Sequence, residues 1–280
     1  MSSALGTGQC GILCVIPIYC PDYHLLKASI EALKRHDVEI VLILNSHVDR
    51  ASLPEDILCL SSDSNCGTAG AYNIAADLVA RRVDLRALLL LDQDSLLTDS
   101  YLGFCVECVR RADWDELRTF VCPYDPKNLV LRRSLPVSQL ATGLSWRKFR
   151  NVSDTKASGL LLPRSALVQL RFDEDLFVDY VDWNYCWRSH SFGFRVLEFP
   201  RESGSLHRLG NEYRWIGLNH LFRVPSLSRR KLQTRSALIL LLSANKRKNA
   251  PLLRIVSVLS RLLINPLLDG LEQFGLIKPV

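Results

Sequence analysis

No uncharged apolar stretch in this 280-residue chain reaches the roughly 18 to 20 residues that cross a bilayer as a helix, so a membrane span is not expected. The first 21 positions lack side-chain charge, but they also lack a basic start ahead of an apolar stretch and include Gly6, Gly8, Gly11 and Pro17. That combination predicts a buried first strand rather than a secretory signal. Metal-site spacing is missing among the nine cysteines: Cys105 and Cys108 form a lone CxxC in a helical stretch, with no second pair or nearby His. Cys10, Cys14, Cys20, Cys59, Cys66, Cys122 and Cys186 lie in or beside apolar segments, which predicts reduced, mostly buried thiols and a cytoplasmic setting. No repeat or low-complexity tract is present, and 48% hydrophobic with 23% charged residues excludes a disordered chain. Acidic residues are absent from Tyr213 to Leu268, where 11 Lys/Arg lie; a net charge of +6 then leaves −5 for the rest.

What is present is a series of short apolar runs, Ile12 to Tyr19, Val38 to Leu44, Ile57 to Leu60 and Leu85 to Leu91, of the kind found in strands covered on both faces. Between them Asp22 to Arg35 and Thr68 to Arg81 carry helical spacing. Strand alternating with helix implies a mainly parallel α/β sheet with right-handed crossovers, and ligands bind such sheets at the carboxyl ends of the strands. A second section, about Ser153 to His207, holds a strand-like GLLLP, a short helix from Arg164 to Leu170, a stretch rich in Asp and aromatics, and a strand-like FRVLEF. The expected organisation is one α/β domain over residues 1–211, with a first half to about 122 and a second half from 123, then a basic helical tail over 212–280.

Polar groups follow the runs where a crevice is expected: Pro17 to Tyr19, Asn45 to Ser46 and Asp92-Gln93-Asp94-Ser95. Two carboxylates at i and i+2 after a buried strand can share a hard divalent cation with a diphosphate; a solvated turn is the plainer alternative. Between the third run and the next helix, Asn65-Cys-Gly67-Thr-Ala-Gly70 offers glycines that let the backbone approach a ligand and aim free amides at an anion, or simply make a tight turn. Group transfer to a hydroxyl needs a base, and Asp173, Glu174, Asp175, Asp179 and Asp182 are all candidates. Asp182 can equally cap a helix running through Arg188. Trp183, Tyr185 and Trp187 can stack on a ligand or serve as core.

Read together, NCGTAGAYNIA and LLLLDQDS resemble the N-x-G-x-[AG]-G-A-x-N-x-[GA] and DQDS signatures of family 2 rhamnosyltransferases. FDEDLFVDYVDWNYCWR is similar to that family's FDEDLFIDYVDxEWCLR, and HRLG to its H-x-x-G, in family order over roughly residues 12 to 245. The resemblance implies a GT-A fold and inverting transfer of a sugar, L-rhamnose from dTDP-L-rhamnose first among them, to a saccharide or lipid-linked saccharide in bacterial surface polysaccharide synthesis. It implies a Mg²⁺ or Mn²⁺ cofactor held at Asp94 and Asp92, with His207 at the cation or diphosphate. It implies Asp182 as base with Asp179 as runner-up, Pro17, Tyr19 and Asn45 along the nucleotide wall, and Asn65, Gly67, Gly70 and Gln93 around the same pocket. Arg235 matches a phosphate-contacting Arg, although Lys231, Leu232 and Ser236 replace that motif's tyrosines and Asn; Asn184 replaces a common acidic residue. Another nucleotide sugar, or a nucleotide-binding protein without turnover, remains the alternative.

In the tail, Leu252, Leu253, Val256, Leu259 and Leu263 recur at helical spacing, after a Lys246-Arg247-Lys248 cluster suited to anionic headgroups. The alternative is a helix packed on the domain. Basic residues here are interleaved with Leu, Ile and Val rather than with stacking aromatics, so a peripheral membrane contact, not nucleic acid, is the expected partner.

Overall fold

The structure, a computed structural model, describes residues 10–46, 48, 50–61, 64–125, 149–199, 206–207, 211–215, 221–224, 226–243, 245–246, 248–274 and 277–279. The first part runs β1 (Ile12–Ile18), α1 (Tyr23–Lys34), β2 (Glu39–Leu44), β3 (Leu58–Ser61), α2 (Gly67–Arg81), β4 (Ala87–Leu90), β5 (Ser95–Leu96), α3 (Asp99–Arg110) and β6 (Thr119–Cys122). Next come β7 (Arg150–Val152), β8 (Leu161–Pro163), α4 (Arg164–Gln169), α5 (Val181–Ser189), β9 (Arg195–Glu198) and β10 (Leu206–His207). The tail holds β11 (Asn211–Trp215), β12 (Leu221–Val224), α6 (Leu227–Leu242), α7 (Leu252–Gln273) and β13 (Ile277–Pro279). Helix starts are set by side chains that satisfy first-turn amides: Asp22 accepts from the backbone N–H of His24 and Leu25, Thr98 from that of Tyr101, and Ser226 from that of Arg229.

Eight strands form one sheet in the order β3-β2-β1-β4-β8-β6-β9-β7. β3, β2, β1 and β4 are parallel, β8 is antiparallel to both β4 and β6, β9 is parallel to β6, and β7 closes the edge antiparallel to β9. This is a mainly parallel α/β sheet flanked by helices, a GT-A-like architecture. Alternation along β1 divides the core. Ile12, Cys14, Ile16 and Ile18 pack with Leu26, Ile30 and Leu33 of α1 and with α3; Leu13 and Val15 pack on the other face with Ala69, Tyr72 and Ala75 of α2. Burying a side chain of this size contributes about 1.5–3 kcal/mol, which is why the run contains no polar residue. The nine cysteines are free thiols, and burial pushes those of Cys14, Cys105, Cys108, Cys122 and Cys186 up, as expected of inert core residues.

The tail helices share this core: Ala237 and Leu240 of α6 and Val258 of α7 sit with the residues around α2, α4 and α5. Arg230, completely buried, joins α6 to α7 by ion pairs with Asp269 and Glu272, and its carbonyl accepts a hydrogen bond from Asn265 Nδ2 at 3.3 Å. Arg230→Ala leaves two carboxylates facing each other without their cation and should lower stability by about 3 kcal/mol. Urea unfolding monitored by circular dichroism is the check, and an unchanged midpoint would show that the α6–α7 pairing does not depend on this arginine.

Candidate active site

Three strand ends make the floor of the crevice. After β1 the chain turns at Tyr19 and Cys20, after β2 at Asn45 and Ser46, and after β4 at Asp92 to Ser95. Gln93 extends the sheet by one rung: its Oε1 accepts from the Tyr19 N–H at 2.7 Å and its Nε2 donates to the Tyr19 carbonyl at 2.8 Å. The middle residue of the DxD is therefore committed to holding the β1 and β4 ends together, with Asp92 and Asp94 on either side of it. Pro17 is partly buried in β1, and the Tyr19 ring is exposed. β10 pairs antiparallel with β5, setting the His207 backbone opposite Ser95, immediately after Asp94. The His207 side chain lies outside the described residues.

Of the two roles open to the glycine turn, the structure shows the tight, packed one. Asn45 is occupied within the protein, accepting from the Cys66 N–H at 3.1 Å and donating to the Gly67 carbonyl at 3.1 Å. Asn65, otherwise exposed, accepts from the Gly67 N–H at 2.9 Å. The amides of Thr68 and Ala69 both donate to the Phe177 carbonyl, at 2.8 and 3.1 Å. Those first-turn amides of α2 are thus taken by the chain itself and are not open to an anion. Gly67 has φ +67° and an added Cβ would stand 2.5 Å from the Phe177 oxygen, while one at Gly70 would stand 2.8 Å from Cys66 Cβ. Both glycines are required by packing.

Phe177 begins the segment that carries the base candidates. Its φ and ψ of 59° and −67°, with Val178 N–H donating to Leu176 O at 2.7 Å, make a γ-turn, and Tyr180 follows in the left-handed region at φ 65°. Two non-glycine residues in such conformations store strain that only the surroundings can hold, a pattern that gathers at functional sites. Tyr180 precedes α5 as its cap residue, so Asp182 lies in the first turn of the helix and is not its cap.

The Asp182 carboxylate accepts from two backbone amides, Trp183 N–H at 2.8 Å and Ala157 N–H at 2.9 Å. One residue on, Ser158 Oγ stands 2.9 Å from Asp92 Oδ2 and 2.7 Å from Ser95 Oγ. The turn over residues 153–160 therefore links the DxD to Asp182. Burial pushes the Asp182 carboxyl up to about 7; the negative charges of Asp92 and Asp154 add to the rise, and the two amides oppose it. Tyr72, wholly buried, has a hydroxyl without a partner among the described residues, and burial with the charges of Asp92 and Asp182 raises it. Asp179, by contrast, is held on α6 by Arg229 at 2.9 Å and Gln233 at 3.3 Å; burial raises it and the arginine charge pulls it back. An ion-paired carboxylate is the poorer proton acceptor of the two.

Asp154, Ser158 and Arg254 were not singled out from the sequence. Asp154, fully buried, accepts from Trp187 Nε1 at 2.9 Å and pairs with Arg254 of α7 at 2.7 Å. The Arg254 guanidinium also lies 4.3 Å over the Trp183 ring. Tyr185 and Trp187 are completely buried and so belong to the core, while Trp183 is partly buried under the Arg254 guanidinium. The signal for the turn was the small-residue string Ala157-Ser158-Gly159 ahead of an apolar run, with Gly159 at φ +87°. Arg235 is exposed on α6, where its charge helps lower Asp175. An open cleft of about 480 Å³ beside residues 171–175 contains none of Asp92, Asp94 or Asp182, and its Lys246 is paired with Asp173 and Asp175.

No protein-family model matches the chain. It is similar to the dTDP-rhamnosyl transferase RfbF of Shigella flexneri, with 26% identity over 258 residues, covering 86% of this chain and 82% of that protein. The crystal structure of A197 from STIV aligns over 76% of this chain and 93% of that one, at 16% identity and a TM-score of 0.42, too distant to carry an argument. The chain is thus rhamnosyltransferase-like over most of its length.

Two outcomes follow from the geometry. Gly67→Ala combines an unfavourable φ with a collision against the Phe177 carbonyl and should cost about 2 kcal/mol or more in urea unfolding; a neutral result would separate the γ-turn from α2. Asp182 titrates higher in the folded chain than the roughly 4 of an unfolded aspartate, so its ionisation costs stability. That cost starts as pH rises past the unfolded value and is complete above about 7. Relative to wild type, Asp182→Asn should therefore gain about 2 kcal/mol between pH 5 and pH 8. Thermal unfolding at both pH values tests this, and parallel curves would mean an unstrained carboxylate.

Proposed function

We propose that the chain is an inverting glycosyltransferase that moves a sugar, L-rhamnose foremost, from a dTDP-linked donor to a hydroxyl of a saccharide or lipid-linked saccharide. The observation that carries this reading is the linkage of two carboxylate centres at the carboxyl end of the central strand β4. Asp92 and Asp94 stand at the end of β4, and Asp182 stands at the start of α5, joined through Ser158 and Ala157. The similarity to a dTDP-rhamnosyl transferase supports the choice of nucleotide and sugar.

Each centre has a separate task. Asp94 and Asp92 would hold a hard divalent cation such as Mg²⁺ or Mn²⁺ through their carboxylate oxygens, and the backbone of His207 runs opposite Ser95 next to them. Such a cation, when bound, offsets the charge that develops on the departing diphosphate. Asp182 takes the proton of the acceptor hydroxyl as that oxygen bonds to the anomeric carbon and the bond from that carbon to the diphosphate oxygen breaks, releasing the nucleoside diphosphate. Its raised titration suits it to the work: a carboxylate near 7 is a far better proton acceptor than one near 4, yet remains largely ionised at slightly alkaline pH. Pro17, Tyr19 and Asn65 border the region for the nucleotide, while Asn45, Gly67, Gly70 and Gln93 act through the backbone they fix. Asp179 keeps α6 in place, and Arg235 is not assigned a phosphate.

Incubation with a panel of nucleotide sugars and a saccharide acceptor, reading released nucleotide, tests the assignment. dTDP-L-rhamnose should give the highest turnover, with a rate that rises through pH about 7. Asp182→Asn should keep donor affinity and lose about 10² to 10⁴ in single-turnover transfer, and Asp94→Ala should lose Mn²⁺-dependent donor binding in calorimetry. Near-normal transfer by Asp182→Asn would remove it as base; turnover confined to a UDP-hexose would reassign the donor.

A further inference from the structure

The helix α7 is built the opposite way from an ordinary surface helix, which turns its leucines to the body and its charges to water. Here the polar groups face inward: Arg254 onto Asp154, Asn265 onto Arg230 and Thr234, and Asp269 and Glu272 onto Arg230. Val258 and Leu262 also pack on the core, but most of the apolar side chains face outward. Leu252 and Leu263 are each 77% exposed, and Leu253, Val256, Leu259 and Leu267 are exposed along the same stretch. Their spacing of three and four residues places them in one stripe that Phe274, 83% exposed, continues. A continuous apolar stripe of this length on a folded chain marks a surface that something covers.

Charge decides between occupants. Eleven cations and no carboxylates lie between Tyr213 and Leu268, and the acidic residues that follow in α7, Asp269 and Glu272, are engaged by Arg230. Lys231, Lys248 and Arg261 are exposed on or near these helices. Such a setting repels a second copy of itself and attracts an anionic surface. We propose that the outer face of α7 seats on an anionic lipid surface, lying in the interfacial plane with its leucines below the headgroups. No helix among the described residues is long and apolar enough to cross a membrane, so the contact is with one face of it. The basic cluster expected to meet headgroups is only partly available: Lys246 is paired with Asp173 and Asp175, and Arg247 lies outside the described residues.

Co-sedimentation of the full chain with vesicles of phosphatidylcholine alone, or with 30% phosphatidylglycerol, tests this independently of any donor. Wild type should partition onto the anionic vesicles and come off as salt rises. Leu259→Gln with Leu263→Gln should lower partition at least about tenfold, with thermal unfolding unchanged because both side chains are exposed. Lys231→Gln and Lys248→Gln should each lower it about fivefold at low salt, which keeps the test open if the leucine variant folds poorly. No binding by wild type, equal binding to neutral vesicles, or equal binding by the leucine variant would overturn the proposal. A wild-type dimer in light scattering that the leucine variant dissociates, without vesicle binding, would also overturn it and assign the stripe to a second copy of the chain.

Discussion

The carbonyl of Phe177 accepts two hydrogen bonds from the first turn of α2, and much of the crevice depends on that contact. A γ-turn at Phe177 and a left-handed Tyr180 are conformations that a free peptide avoids. Paired amides at the positive end of a helix supply the compensation, and Gly67 supplies the room. The contact fixes where α5 begins and hence where the Asp182 carboxylate sits. It joins the first half of the sheet to the segment bearing Asp182, and it uses the amides that would otherwise invite an anion.

A second connection sets the electrostatics. The turn at 153–160 donates Ala157 N–H to Asp182 and places Ser158 against Asp92, so two carboxylates share one short piece of backbone. Burial raises Asp182, the nearby Asp92 charge adds to the rise, and the folded state loses stability when Asp182 ionises. Asp154 adds a third negative charge, and Arg254 of α7 supplies its counterion. Helix α7 of the tail thereby reaches the turn that supports Asp182, with its apolar stripe turned the other way.

Much of this was legible in the sequence, and the reasons are physical. Buried strands announce themselves as uninterrupted apolar runs, so Asn45 and Asp92 to Ser95 could be placed at strand ends, and the periodicity of α1 and α2 was visible within a residue or two. Asp182 stood out through its motif. What remained hidden depends on contacts between distant positions. Nothing local tells that Phe177 will occupy the α2 amides, that Gln93 will pair with the Tyr19 backbone, or that Ser158 will meet Asp92. Amphipathy revealed a stripe on α7 but not its direction, which is decided by ion pairs to Asp154 and Arg230. The aromatics after Asp182 alternate in a way that fits a sugar platform or a core equally, and only burial separates the two.

The central claim is that Asp182 is a proton acceptor tuned by burial and by Asp92. The carboxyl carbon of Asp182, assigned by its loss in Asp182→Asn and followed by carbon NMR across pH, reports this directly. The account predicts a midpoint near 7 that falls when Asp92 is replaced by Asn. A midpoint near 4, or one indifferent to Asp92, would contradict it.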